Sequence, residues 1–296
     1  MKIGKILIGL IWGLWSLSPR AAVETAELPD LVIGGVGLET GLTTAVWGDP
    51  IDSEKLKAQL QDIQNIAFDP AEREILKRVL LTRTGEVDVL IPRLETLMAQ
   101  GFFEDVLRLI DRIPPAQRTD EVRQWRIRAL MAEGKVADVC TEETIAGWPE
   151  EVFIRTVCAL MSKTSDEAAL AFDVYRESGS DKYPFLNGVG DKIVRYQDVS
   201  LPDGQPDWVE IPLIAKAFEE DVFRLPLKIG ELQMLSRSDF VPDLVQKKAA
   251  DMLQQKVELS LTEKETALEL LKTKNDLRVR LERLVPPVSE AADVGR

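Results

Sequence analysis

The side chains that could do chemistry in this 296-residue chain are few, and one absence narrows them sharply: there is no histidine. That removes the commonest general base, the commonest metal ligand and every triad built on an imidazole. Two cysteines remain, Cys140 and Cys158. Their spacing is not a Cys-x-x-Cys redox pair, and no imidazole is available to generate a thiolate. They lie equally far on either side of Pro149, which with Gly147 reads as the turn between helices over 136–146 and 150–162. Positions at equal height on antiparallel helices come within disulfide reach when both side chains point at the seam. In an oxidising compartment this predicts a Cys140–Cys158 bond, worth about 3 kcal/mol as a closed loop in the chain-entropy account. The other reading is two thiols buried in a helical core.

Carboxylates are the remaining route to catalysis. Glu142 with Glu143, and Asp203 with Asp207, lie near turns. Acidic pairs on helical surfaces are ordinarily solvated, and a glycan-cleaving enzyme needs more: an acid of raised pKa beside a saccharide groove, often with a second carboxylate. Nothing in the sequence marks such a pair, so no catalytic residue is assigned. The glycine-rich stretch 31–41 invites a nucleotide reading. However, Gly35-x-Gly37 is followed by Gly41, one residue too late for a dinucleotide fingerprint, and no Gly-Lys-Ser/Thr occurs. No cofactor and no metal are therefore expected. Among the aromatic residues, most fall at helical spacing and read as packing. Trp148 beside Pro149 and Trp208 in a loop are the two candidate partner-binding anchors, because an exposed indole is a frequent binding hot spot.

Charge limits the partners. Fifty acidic residues against 37 basic ones give a net charge of −13, a field that repels phosphate and argues against nucleic acid. The first residues carry Lys2 and Lys5, then an apolar run from Ile6 to Trp15, then Ser16-Leu17-Ser18-Pro19-Arg20-Ala21-Ala22. This is the order of a secretory signal, expected over 1–22. The run is 10 residues long against the ~20 needed to span a bilayer, which favours a signal over an uncleaved anchor. Membrane contact is expected only through this segment, if it is retained, and the compartment is expected to be the periplasm.

The elements that must position these residues are helical. Leu97-Met98-Ala99-Gln100-Gly101 returns as Leu130-Met131-Ala132-Glu133-Gly134 and, more weakly, as Leu160-Met161-Ser162-Lys163. A period near 33 residues indicates stacked helical hairpins. Apolar stripes predict helices over 53–64, capped by Ser53, and over 71–83, 87–100, 166–177, 183–196, 211–223, 226–235 and 241–259. A glycine-rich arm over 23–52 precedes a helical-repeat domain over 53–285, and 286–296 is expected to be disordered. The last helix begins at the capping box Thr262-Glu263-Lys264-Glu265. It repeats leucine at Leu270, Leu277 and Leu284, as a cap for the repeat array or as a short coiled-coil seam.

Gly101-Phe102-Phe103-Glu104-Asp105-Val106, followed by a helix and Pro114, resembles the second half of a tetratricopeptide repeat. The next unit keeps Gly134 and Pro149 without the aromatic, and the Trp-Leu-Gly-Tyr signature of the first helix is absent. The chain is also loosely similar to exported helical-repeat proteins of Gram-negative bacteria. The resemblance implies an all-α fold, a right-handed α-solenoid of tetratricopeptide-like hairpins, and a scaffold that binds a protein partner in the cell envelope. The alternative is a peptidoglycan- or polysaccharide-active protein using a carboxylate acid, by analogy with murein lyases that join a helical superhelix to a separate catalytic domain. No segment here resembles that second domain.

Overall fold

The computed structural model describes residues 35–47, 52–68, 70–85, 88–141, 150–162, 164–179 and 182–256. The expected signal, Glu142, Glu143, Trp148, the leucine repeat and the tail lie outside them. Every regular element among the described residues is helical, and none is a strand. The α-helices are α1 (Ser53–Ile63), α2 (Pro70–Leu81), α3 (Leu90–Ala99), α4 (Phe103–Ile110), α5 (Asp120–Ala132) and the one-turn α6 (Val136–Val139). They continue as α7 (Glu151–Ser162), α8 (Ser165–Glu177), α9 (Pro184–Ile193), α10 (Ile211–Phe218), α11 (Ile229–Arg237) and α12 (243–256).

Local chemistry sets the helix ends. Asp52, not Ser53, caps α1: its Oδ1 accepts the Lys55 N–H at 3.1 Å, so the cap stands one residue earlier than its sequence position suggested. Thr119 does the same for α5, accepting from Val122 N–H. The repeated Leu-Met-Ala stretches end their helices identically. Phe102 N–H donates to Leu97 O at 2.8 Å and Lys135 N–H to Leu130 O at 2.9 Å, while Gly101 and Gly134 both sit at φ +75°. With the Gly101 N–H to Met98 O and Gly134 N–H to Met131 O hydrogen bonds, each left-handed glycine turn consumes carbonyls that the helix end leaves without partners. The helix expected over 211–223 stops early: Glu219 takes φ 49° and the chain tightens into a 3-10 turn, Glu219–Arg224.

Packing proceeds largely between neighbours. α4 lies against α5, α7 against α8, and α9 against α10. Cys140, the residue closing α6, and Cys158 within α7 have Cα atoms 5.7 Å apart and sulfurs at bonding distance. The bridge therefore joins the end of the one-turn α6 to α7, not two long antiparallel helices. Two buried polar side chains organise the first helices. Gln100 donates to the carbonyls of Ile63 at 3.1 Å and Ile66 at 3.0 Å, closing the end of α1. Arg93, fully buried on α3, donates to Leu80 O at 2.7 Å and Val36 O at 2.8 Å and lies over the Trp47 ring. Burial pulls its pKa down to about 9, which still leaves a cation at neutral pH. Segment 35–47 is thereby held along α2 and α3, and Leu38 N–H also donates to Leu81 O at 2.7 Å.

One contact brings a late helix back to the first ones. α11 packs on the end of α3, far back along the chain. A Cβ on Gly230 would stand 2.0 Å from Met98 O, so only glycine admits this approach. Gln233 donates to Gly101 O and accepts from Arg73 at 3.0 Å, and Lys228 Nζ donates to Gln64 Oε1 at 3.1 Å. The core formed in this way is continuous from Val36 to Ala249.

Candidate functional site

A cleft of about 250 Å³ opens where α5 meets the segments that lead into α9 and α10, lined by Arg128, Lys182, Tyr183, Gln205, Asp207 and Glu210 among others. Each wall has a local cause. Arg128 emerges from α5 over the Trp125 ring, 4.6 Å from its centroid. Pro184 begins α9, a position at which its missing N–H costs nothing. Asp207 and Glu210 lie in the turn that starts α10, where Asp207 Oδ1 accepts the Val209 N–H at 3.2 Å.

Arg128 and Asp207 form a two-pronged ion pair, with Nη2 to Oδ2 at 2.5 Å and Nε to Oδ1 at 3.2 Å. Burial opposes the charge on Arg128, yet the hydrogen bond to Asp207 and its charge outweigh it and raise the arginine pKa. Glu210 is buried and has both carboxylate oxygens engaged. Oε1 accepts the Leu186 N–H and Oε2 the Asp207 N–H, each at 2.9 Å. The Leu186 N–H belongs to the first turn of α9, a helix with no side-chain cap of its own. Glu210 therefore supplies from another helix the acceptor that this end lacks. Burial nevertheless dominates, with the charge of Asp207 adding to it, and the Glu210 pKa is pushed up to about 7.

Tyr183 forms the floor, stacked on Phe153 with centroids 3.6 Å apart. Burial and the nearby Asp207 push its phenol pKa upward. Lys182 pairs with Glu150 at the rim. Gln205 Nε2 donates to Glu231 Oε1 at 3.2 Å, tying the cleft to α11, and burial raises the Glu231 pKa as well. Chemically, the cleft holds a neutralised guanidinium, a phenol that stays protonated and an acid poised near neutrality.

The sequence-selected residues meet different fates. Asp207 stands in the cleft, whereas its companion Asp203 is exposed. Trp208 corrects an expectation. It is only 8% exposed, packs edge-on against Phe103 at 6.0 Å and lies beside Gly230. Its ring is part of the joint between α4 and α11 and not an accessible anchor. Trp148 lies outside the described residues. Arg128, Tyr183 and Glu210 were not singled out from sequence. Glu210 carries one faint signal, an acid directly before the apolar run that starts at Ile211.

No match answers the comparisons. Family models, curated proteins and solved structures alike give none for this chain. Among the described residues, no helix is long and apolar enough to cross a membrane, and no group of three or more acidic or cysteine side chains is arranged to hold a metal.

Proposed function

We propose that this protein is a non-catalytic scaffold or adaptor, exported to the periplasm, that holds another envelope protein on the surface of successive helical hairpins. In this reading the hairpins stack as a right-handed solenoid of the tetratricopeptide kind, with the return of α11 onto α3 bracing the array. The observation that carries it is the commitment of the cleft's chemical groups. Both oxygens of Glu210 accept backbone N–H groups, and Asp207 is spent on Arg128. Groups fixed in this way hold elements together, while the acidic outer surface is left to steer a basic or neutral protein partner. Affinity capture from envelope extract with the full chain tests this. One or a few proteins should be retained at low salt and lost when exposed acidic residues are reversed to lysine. An unchanged captured set overturns the surface assignment, and no specific capture overturns the adaptor.

One specific observation favours a second reading. A buried glutamate with its pKa near 7 stands beside Tyr183 and Phe185 in a cleft that also holds Asp207, which is the equipment of a glycan-cleaving acid. Release of soluble fragments from purified peptidoglycan by the wild type, abolished in Glu210→Gln, would replace the adaptor reading with this one.

A further inference from the structure

Five large apolar side chains stand exposed among the described residues, and three of them, Val152, Leu170 and Val174, belong to the α7–α8 hairpin. Leu170 and Val174, 67% and 48% exposed, share one face of α8 at a spacing of one turn. Thr156 Oγ1 donates to Ala171 O at 3.1 Å and fixes the antiparallel register. Val152, one turn before Thr156, is then level with the turn of α8 that follows Ala171 and contains Val174. A fourth exposed residue, Tyr196, borders the same hairpin. It follows Arg195, whose guanidinium bonds Asp173, the neighbour of Val174, at 2.8 Å. Tyr196 is 84% exposed and held at φ 54°, a backbone conformation that disfavours an aromatic residue. A strained backbone that presents a ring to water brings nothing to the core.

Some exposed acids on other helices pair with a base one turn along, as in Glu54–Lys57 and Glu74–Lys77. On α8, Glu167 lies one turn before Leu170 and Glu177 one turn after Val174. Neither has an ion-pair partner among the described residues, although Glu167 accepts a hydrogen bond from Thr164. The stripe therefore reads acid, leucine, valine, acid along a single helix face.

We propose that this face of α8, with Val152 and Tyr196 at its border, is the docking surface for a basic amphipathic helix of another protein. Its apolar side chains would cover Leu170 and Val174 while its lysines or arginines meet Glu167 and Glu177. Charge complementarity selects this occupant. A second copy would oppose its own acidic rim, and an anionic lipid surface would be repelled. The proposal rests on the adaptor reading and names the chemistry of the partner.

The test uses the full oxidised chain and two labelled synthetic helices of about 18 residues, five turns. Both carry leucines at 3-4 spacing, one with a lysine rim and one with a glutamate rim. By fluorescence anisotropy the lysine-rimmed helix binds about tenfold or more tighter than its glutamate twin, and the difference shrinks at about 0.5 M salt. Leu170→Asp and Glu167→Lys/Glu177→Lys, both at exposed positions and checked by circular dichroism, each lower the affinity about tenfold. Equal binding of the two helices, or binding indifferent to these variants, overturns the proposal. Dimers lost in Leu170→Asp would assign the face to a second copy, and carbodiimide crosslinks from Glu167 or Glu177 to Lys272 or Lys274 of the same chain would assign it to the chain's own C-terminal segment; either overturns it. Envelope capture that persists in Leu170→Asp, without helix binding, removes this surface and leaves the adaptor standing.

Discussion

Glu210 shows how a single carboxylate becomes a clamp. Its two oxygens bind the start of α9 to the turn before α10, and burial moves its pKa up to about 7. An acid whose folded pKa lies above its unfolded value favours the fold while both states are protonated. That advantage is lost as the pH rises through the folded pKa. The wild type should therefore lose melting temperature relative to Glu210→Gln as the pH goes from about 4.5 to about 7, and the difference should level off above that range. Thermal unfolding of both proteins across that range checks it, and a constant difference would show that Glu210 does not titrate there. Arg93 works in the opposite sense. It is a buried cation whose described partners are two carbonyls and an aromatic ring, so it holds segment 35–47 by dipoles and ring face and not by an opposite charge. Asp207 was visible as an acid near a turn, but its partner was not, because Arg128 lies 79 residues away and no spacing rule connects them.

The two glycines that end α3 and α5 look equivalent by sequence and by backbone, both at φ +75°. Their surroundings separate them. A Cβ on Gly134 meets nothing within 4 Å, whereas one on Gly101 would stand 2.2 Å from Gln233 Oε1. Gly134→Ala should cost only the left-handed backbone penalty, about 1 kcal/mol. Gly101→Ala should cost clearly more, because it also dislodges the side chain that joins α11 to α3. Urea midpoints of the two variants measure the difference, and equal costs would mean that the α11 contact contributes little. At this scale the sequence was largely readable. The helix starts near residues 53 and 71 and the ends at Gly101 and Gly134 follow from capping chemistry that acts within a few residues, although Asp52 and not Ser53 caps α1 and α2 begins one residue early, at Pro70. The α10 boundary was not legible, because the stop at Glu219 is imposed where the chain turns and no glycine or proline announces it.

For the molecule as a whole, coherence rests on ties between separate segments, among them the return of α11 to the first helices, the Arg128–Asp207 pair and the Cys140–Cys158 pair. Replacing both cysteines with serine should lower the free energy of unfolding by about 3 kcal/mol, read from urea denaturation without reductant. If the protein is exported as proposed, it should show no alkylatable thiol when isolated without reductant; two reactive thiols would reject both the bond and the proposed oxidising location. The burial of Trp208 belongs to this scale as well. An indole in a turn-rich loop reads as exposed until a helix from another part of the chain is laid over it, and α11 does so through Gly230 and the ring contact with Phe103.

By itself the sequence determined the acidic field and the lack of imidazole chemistry, and it pointed to the helical class and to Cys140 and Cys158 lying within bonding reach. Each of these depends on composition or on interactions that act within one or two helices. Tertiary structure alone decided which groups became buried and which stayed in water: that Glu210 caps a helix not its own, that Arg93 lies inside without a described carboxylate partner, that Trp208 is covered, and that Leu170 and Val174 are not. Burial is a property of what comes to lie opposite a side chain. For these residues the opposing surface lies on another helix or in another segment, beyond the reach of any local pattern.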